Sequence, residues 1–163
     1  MKILGIDPGT IVMGYGIIET GDGEPEFIEC GVIKPPARSS IGERLSFLYK
    51  NLMEIIAASR PDVIAIEEPF VAKNARTALA IGRAQAVAIL SAANCDILSY
   101  EYTPAQIKQR VTTYGASSKE QVQEMVRLQL GLDYPPEPDD AADALAVALC
   151  HMGEAHVNNL LRQ

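Results

Sequence analysis

The amino-acid sequence predicts one α/β domain in which a mixed sheet is flanked by helices. Three strand-like runs follow one another at the start of the chain, and helices then alternate with two further strand-like runs. With 163 residues and 48% hydrophobic content, the chain can bury one substantial core. No internal repeat or linker divides it, so we expect a single domain over residues 1–163.

The predicted strands share short runs of apolar and β-branched residues. The first and the fourth are apolar almost throughout, as is typical of strands that are buried on both faces. Gly21-Asp22-Gly23 supplies a turn between the second and the third. The four strands that come first along the chain are residues 2–7, about 14–19, about 26–34 and 62–67.

The helices and a fifth strand follow from spacing and capping signals. Leu and Ile at helical spacing predict an amphipathic helix over about 40–59. An Ala-rich segment predicts a long, closely packed helix over about 74–94, followed by a strand near 96–100. An N-cap threonine before a first-turn proline opens a helix that ends near Thr113.

Two more helices complete the chain. Ser117-Ser118-Lys119-Glu120 fits a capping box, which predicts a helix that ends at Leu130, before Gly131. The last helix is predicted to begin near Asp140 and to extend to about Glu154.

Charge and cysteine usage narrow the function classes. A net charge of −7 and a pI near 4.8 argue against nucleic-acid binding if only the total is considered. Basic residues nevertheless gather between Lys73 and Arg127, so a locally basic face is expected. Cys30, Cys95 and Cys150 are odd in number and lie in apolar surroundings, which predicts buried free thiols rather than zinc ligands or disulfides.

No run of about 18 apolar residues exists and no charged leader precedes the first strand. We therefore expect a cytoplasmic protein that does not span a membrane.

Four carboxylates occupy positions that suit a metal-dependent site. Asp7 and Glu67 each end a buried strand, while Asp140 and Asp143 open the last helix. Each has an ordinary interpretation when taken alone. An Asp before Pro-Gly forms turns, a strand-end Glu can be a surface residue, and acids in a first helical turn complement the macrodipole.

Together the four are harder to explain as surface residues. The i, i+3 spacing of Asp140 and Asp143 puts their side chains on one helical face, about 5–6 Å apart. The alanines around them would let this helix approach the sheet closely, near Asp7 and Glu67. Converging carboxylates require cations between them, and oxygen-only ligands favour Mg²⁺ or Mn²⁺. Two such ions about 3.5–4 Å apart would suit phosphodiester hydrolysis.

Several motifs carry a family resemblance. They are Gly5-Ile6-Asp7-Pro8-Gly9-Thr10, Gly14-Tyr15-Gly16, Ala65-Ile66-Glu67, Ala72-Lys73-Asn74-Ala75 and Asp140-Ala141-Ala142-Asp143-Ala144-Leu145-Ala146. In this order, over residues 1 to about 151, they resemble the RuvC family of crossover junction endodeoxyribonucleases. The resemblance implies an RNase H-like α/β fold, with a mixed five-stranded sheet flanked by helices.

The resemblance also implies an activity and partners. The expected protein is a homodimer that nicks two opposed strands of a four-way (Holliday) DNA junction, leaving 5′-phosphate and 3′-hydroxyl ends. It would act in recombination and DNA repair, alongside the RuvAB branch-migration complex. Two Mg²⁺ ions per subunit are implied, with Mn²⁺ as a substitute.

The resemblance assigns roles to matching residues. Asp7, Glu67, Asp140 and Asp143 become catalytic metal ligands, with Asp139 as the alternative to Asp140 in an i, i+4 register. Phe70 becomes a loop aromatic that stacks on an unpaired base, although a core or dimer role is comparably supported by its sequence context. Lys108 and Lys119 match family lysines near the scissile phosphate, and Lys73, Arg76 and Arg83 are further DNA-contact candidates. His151 fits a structural role better than a place in the site.

Three other hypotheses remain open. The Gly-Ile-Asp-Pro-Gly-Thr opening also resembles the phosphate loop of actin-like ATPases and sugar kinases, but these need two lobes and the chain supplies one. A YqgF-type nuclease acting on ribosomal RNA precursor is a closer alternative. A catalytically inert junction-binding dimer is disfavoured by the intact set of carboxylates.

Overall fold

The computed structural model describes residues 1–21, 24–69 and 74–161, the last four of them by backbone alone. The strands are β1 (Lys2–Asp7), β2 (Met13–Thr20), β3 (Pro25–Ile33), β4 (Val63–Glu67) and β5 (Leu98–Tyr102). The helices are α1 (Ile41–Ser59), α2 (Ala75–Asn94), α3 (Pro104–Thr112), α4 (Lys119–Gln129) and α5 (Asp139–Leu161).

The five strands form one mixed sheet in the order β3-β2-β1-β4-β5. Antiparallel pairing joins β1 to β2 and β2 to β3, whereas β1, β4 and β5 run parallel. The predicted five-stranded mixed sheet is therefore confirmed. In the parallel register Ile6 pairs with Ile66, so Asp7 and Glu67 end neighbouring strands at the same edge of the sheet.

Helices cover both faces of the sheet. One core cluster joins Leu4, Ile6, Ile64 and Ile66 to α1 and α2, and the other joins the opposite face to α3, α4 and α5. Side chains alternate between the faces of a strand. The even-numbered residues of β1 and β4 face α1 and α2, so the odd-numbered residues face α5. Asp7 and Glu67 are both odd-numbered and therefore lie on the face that α5 covers.

Several boundaries and one capping box differ from the sequence predictions. Strand β5 begins at Leu98 rather than near 96, because Asp96 takes a left-handed conformation with φ 56° in the turn after α2. The capping box of α4 uses Ser118 and Gln121 rather than Ser117 and Glu120. Helix α5 begins one residue early, at Asp139, and continues past Glu154 to Leu161, where no Gly or Pro interrupts it.

The thiols are only partly as predicted. All three cysteines are free, but only Cys150 is buried, whereas Cys30 and Cys95 are half-buried. Their surroundings differ because Cys30 lies on the edge strand β3 and Cys95 caps the end of α2. Separately, no helix within the described residues is both long and apolar enough to cross a membrane.

Helix α5 lies unusually close to β1 and β2. A Cβ atom placed on Gly5 would come within 2.0 Å of the carbonyl oxygen of Ala144, and one on Gly14 within 1.9 Å of the carbonyl oxygen of Asp140. The alanines of α5 that face the sheet are buried. Strand glycines and helix alanines thus remove the side-chain volume that would otherwise separate the two backbones.

The close approach can be tested with two Gly→Ala substitutions. Gly5→Ala should lower the free energy of unfolding by about 3 kcal/mol, because its methyl group would meet helix backbone rather than a flexible side chain. Gly42→Ala is the matched control, since a Cβ there meets nothing within 4 Å and the residue lies in α1. It should stabilise the protein by about 0.5–1 kcal/mol. Urea unfolding measures both, and equal effects would contradict the packing argument.

Candidate active site

Asp7 and Glu67 form the centre of the candidate site. Both are half-buried at the ends of the parallel strands β1 and β4, and their carboxyl groups lie within hydrogen-bonding reach of each other. Two ionised carboxylates can only accept hydrogen bonds and repel each other, so this pair favours a bound proton or cation.

The first turn of α5 brings two more carboxylates to this pair. Asp7 pairs with Gly14 across β1 and β2, and Gly14 in turn lies against the backbone of Asp140. Asp143 follows one turn later, with only 28% of its side chain exposed. The close approach of α5 to the sheet thus brings the charges of Asp140 and Asp143 near enough to Asp7 to raise its pKa.

Burial and mutual repulsion raise the pKa values of this group. The pKa of Asp7 is raised first by burial and then by the charges of Glu67, Asp143 and Asp140. Burial also raises the pKa of Glu67, and the charge of Asp143 adds to that effect. For Asp143, burial raises the pKa and the nearby Lys119 opposes the rise. Such a group binds protons or metal cations more tightly than isolated carboxylates do.

Two lysines flank the carboxylates. The ammonium of Lys119 lies 3.2 Å from Asp143 Oδ2 and 3.2 Å from Asp139 Oδ2. Lys108 forms no ion pair with a carboxylate among the described residues, but its charge opposes the rise in the pKa of Glu67. Both lysines line a cavity of about 280 Å³ together with Glu67 and Asp143. The structure therefore gathers two predicted phosphate contacts beside the carboxylates.

Other predicted residues are placed differently. The side chain of Asp139 is 67% exposed and binds Lys119 and Gln123, whereas the charges of Asp140 and Asp143 both act on Asp7. His151 is buried, and its Nδ1 lies 2.7 Å from the hydroxyl of Tyr102. That hydrogen bond ties α5 to β5, which is a structural role.

The remaining DNA contacts cannot be placed in the same way. Phe70 and Lys73 lie outside the described residues. Arg76 is exposed in the first turn of α2, and among the residues that are described no ion pair joins it to a carboxylate. Sequence reasoning missed Gln123, which holds Asp139, although its i+4 spacing from Lys119 places both on one face of α4.

The donor set fits divalent cations. Four carboxylates offer only oxygen atoms, which are the ligands that Mg²⁺ and Mn²⁺ prefer. Within residues 1–21, 24–69 and 74–161, however, no three His, Cys, Asp or Glu side chains are placed to hold one ion together. Burial and repulsion raise the pKa values of Asp7 and Glu67, and Asp143 is paired with Lys119. A divalent cation bound here would compete with protons for Asp7 and Glu67 and with the ammonium of Lys119 for Asp143.

The strand order and the carboxylates at the sheet edge define an RNase H-like fold of the class found in metal-dependent nucleases. A sequence model of the family described as crossover junction endodeoxyribonuclease RuvC matches residues 3–151. A protein of that name from Dehalococcoides mccartyi is 53% identical over 163 residues, which cover 100% of this chain and 98% of that protein. Its counterpart from Chloroflexus aurantiacus is 51% identical over 151 residues, or 93% of this chain and 92% of that one.

Solved structures agree with the sequence comparisons. Thermus thermophilus RuvC in complex with a Holliday junction substrate superposes with a TM-score of 0.91 at 32% identity, over 97% of this chain and 96% of that one. The yeast mitochondrial Holliday junction resolvase Ydc2 shares the fold, with a TM-score of 0.65 at 16% identity over 99% of this chain and 85% of that one. This chain belongs to the RuvC family of crossover junction endodeoxyribonucleases. Membership implies dependence on a divalent metal, and it confirms the resemblance drawn from the motifs.

Removing one charge from the cluster should stabilise the metal-free protein. Since the folded-state pKa of Asp7 is raised, the metal-free protein loses stability as pH rises from the usual carboxylate range past neutrality. Asp7→Asn removes that loss, so at pH 8 its free energy of unfolding should exceed that of the wild type by about 1–3 kcal/mol. Thermal unfolding at pH 5 and pH 8 measures the difference, which should shrink at the lower pH.

Adding Mg²⁺ should reverse the order of stability. The wild type gains stability from metal binding, whereas Asp7→Asn should gain little. Glu54→Gln, which removes an exposed charge from α1, is the control and should leave both the pH dependence and the metal response unchanged. An Asp7→Asn protein that is less stable than the wild type at pH 8 would contradict the repulsion argument.

Proposed function

We propose that this protein is a structure-selective endonuclease that resolves four-way (Holliday) DNA junctions by paired, symmetric hydrolysis of phosphodiester bonds. The products would be 5′-phosphate and 3′-hydroxyl ends, formed in homologous recombination and DNA repair. The observation that carries the proposal is the convergence of four carboxylates and two lysines in a chain of the RuvC family. Support comes from the T. thermophilus relative, whose structure contains a Holliday junction substrate.

In this proposal Asp7, Glu67, Asp140 and Asp143 hold two Mg²⁺ ions per subunit, with Mn²⁺ as a substitute. The bound ions supply Lewis-acid activation of water and stabilise the leaving oxygen. The carboxylates would fix where the ions sit, and the ions would compete with protons for Asp7 and Glu67. Lys119 and Lys108, on the rim of the same cavity, offset the charge of the scissile phosphate.

The outer DNA contacts complete the proposed complex. Lys73 and Arg76 would contact the DNA backbone near the start of α2, while Phe70 would stack on an unpaired base at the junction crossover. We also propose that residues 1–163 form a single nuclease domain. We further propose that the protein acts in the cytoplasm, together with the RuvAB branch-migration complex.

We propose that the protein acts as a homodimer and that α2 forms part of its interface. Exposed residues recur along α2 every three or four positions, which places them on one face. Beyond Arg76, which is left for the DNA contact proposed above, they are Leu79, Arg83, Ala86, Leu90 and Ala93. Leu79 is 58% exposed and Leu90 is 53% exposed, while the opposite face of α2 packs on the sheet.

A second copy of the chain is the occupant that suits this face. Cutting a junction on two opposed strands requires two active sites related by two-fold symmetry, and a closed dimer supplies them. An α2 helix packed against its symmetry mate would bury the leucines of both copies. The small residues Ala86 and Ala93 would allow the two helices to pack closely.

The activity can be tested by isosteric substitution of the carboxylates. Asp7→Asn, Glu67→Gln, Asp140→Asn and Asp143→Asn should each reduce cleavage of a four-way junction by a factor of about 10² or more, because an amide is a poor metal ligand. Junction binding should persist, since phosphate contacts do not depend on these groups. Cleavage assays with Mg²⁺, paired with gel-shift binding assays, measure both.

Substrate choice distinguishes the proposal from its alternatives. The same assay should include linear duplex DNA and structured RNA. Preferential cleavage of RNA would favour a YqgF-type nuclease, and binding without cleavage by the wild type would indicate an inert junction-binding protein. Full activity in any one amide variant would remove that carboxylate from the site.

The dimer interface has a matched pair of variants. Leu90→Glu should produce monomers at micromolar concentration, because a carboxylate would be buried against the second copy. Leu128→Glu is the control, since Leu128 is 54% exposed on α4 and should leave the dimer intact. Sedimentation velocity measures the mass, and circular dichroism verifies the fold. A dimeric Leu90→Glu protein would contradict the α2 interface.

A further inference from the structure

Asp139 pairs with the ammonium of Lys119 at the edge of the candidate site, but it is not one of the four carboxylates Asp7, Glu67, Asp140 and Asp143. Its Oδ2 lies 3.2 Å from the ammonium of Lys119, and its Oδ1 accepts a hydrogen bond of 3.0 Å from the amide of Gln123. Each carboxylate oxygen therefore has its own partner. Since Lys119 and Gln123 are one helical turn apart on α4, Asp139 joins the first turn of α5 to one face of α4.

Lys119 is thereby shared between two carboxylates with different roles. Asp143 is mostly buried and faces Asp7 and Glu67, whereas the side chain of Asp139 is 67% exposed. A divalent cation on Asp143 would compete with the ammonium for the same oxygen atoms and would repel it. Asp139 would not bind the ion and would keep its charge, so Lys119 would still have Asp139 as an ion-pair partner.

We propose that Asp139, oriented by Gln123, is a positioning residue that retains Lys119 beside the carboxylate group when metal binds Asp143. This inference rests on the proposed nuclease function of the same site. It gives Asp139 two effects through Lys119. First, the metal displaces the ammonium of Lys119 from Asp143 more easily, because the ammonium keeps its pair with Asp139. Second, the ammonium stays close to the place where it would offset the charge of the phosphate.

Removal of the Asp139 charge should weaken metal binding only while Lys119 is present. In Asp139→Asn the amide keeps the shape of the side chain and can still accept from Gln123, but the ammonium is left with Asp143 alone. The affinity for Mn²⁺ should then fall by about two- to five-fold, as expected when an exposed ion pair is lost. In Lys119→Ala no ammonium competes, so adding Asp139→Asn should change the affinity by much less.

The experiment is a double-mutant cycle on the full chain without DNA. Calorimetric titration with Mn²⁺ compares the wild type, Asp139→Asn, Lys119→Ala and the double variant. Glu120→Gln is the matched control, because it removes an exposed charge next to Lys119, and no ion pair in the described part of the chain joins Glu120 to that lysine. It should reproduce the through-space effect of losing one negative charge.

Two results would overturn the inference. One is an equal loss of Mn²⁺ affinity on the wild-type and Lys119→Ala backgrounds, which would reduce Asp139 to a general electrostatic effect. The other is a loss in Asp139→Asn no larger than that in Glu120→Gln. Junction cleavage at saturating Mg²⁺ gives the second readout, in which Asp139→Asn should lower kcat by about two- to five-fold and leave KM nearly unchanged.

The two proposals can fail separately. Coupling between Asp139 and Lys119 in Mn²⁺ binding, in a wild type that cleaves no four-way junction, would overturn the nuclease proposal and support the positioning role. Junction cleavage by the wild type without this coupling would overturn the positioning role alone.

Discussion

The close approach of α5 to β1 and β2 is the constraint on which the rest of the structure depends. It needs glycines on the strands and alanines on the helix, because a Cβ atom on Gly5 or Gly14 would overlap the helix backbone. The same contact sets the position of the first turn of α5, and with it the carboxylates of Asp140 and Asp143 relative to Asp7. Packing and chemistry are therefore specified by the same residues. A bulkier helix would separate these carboxylates before it exposed the core.

Bringing the carboxylates together costs stability, and several features of the fold offset part of that cost. Burial and repulsion raise the pKa values of Asp7, Glu67 and Asp143, so the metal-free site retains a proton that isolated carboxylates would release. Lys119 supplies a second compensation by pairing with Asp143. Neither compensation is compatible with a fully metal-bound site. The fold thus stores unfavourable electrostatics in the place where a divalent cation is required, as strained functional sites commonly do.

The sequence predicted those features that depend on local pattern. Buried strands could be read from apolar runs, and the positions of Asp7 and Glu67 followed from where those runs end. Features that depend on tertiary contacts could not be predicted from the sequence in the same way. The left-handed turn at Asp96 moved β5, and the half-burial of Cys30 follows from the edge position of β3. The ion pair between Asp139 and Lys119 depends on how α4 sits against α5, which no periodicity in either helix encodes.

An acidic protein that acts on DNA needs local positive charge where it contacts the phosphates, because its net charge repels the DNA. With a net charge of −7, the chain as a whole repels DNA, and the carboxylate group adds to that repulsion at the point where the phosphate must lie. In the metal-free arrangement even Lys119 is largely committed to Asp139 and Asp143. Divalent cations bound at this site would change the balance twice, because they would neutralise the carboxylates and free the ammonium from Asp143. Under the proposed function, bound metal would therefore favour placement of the scissile phosphate at the carboxylates, while the outer contacts to the DNA backbone would not depend on it.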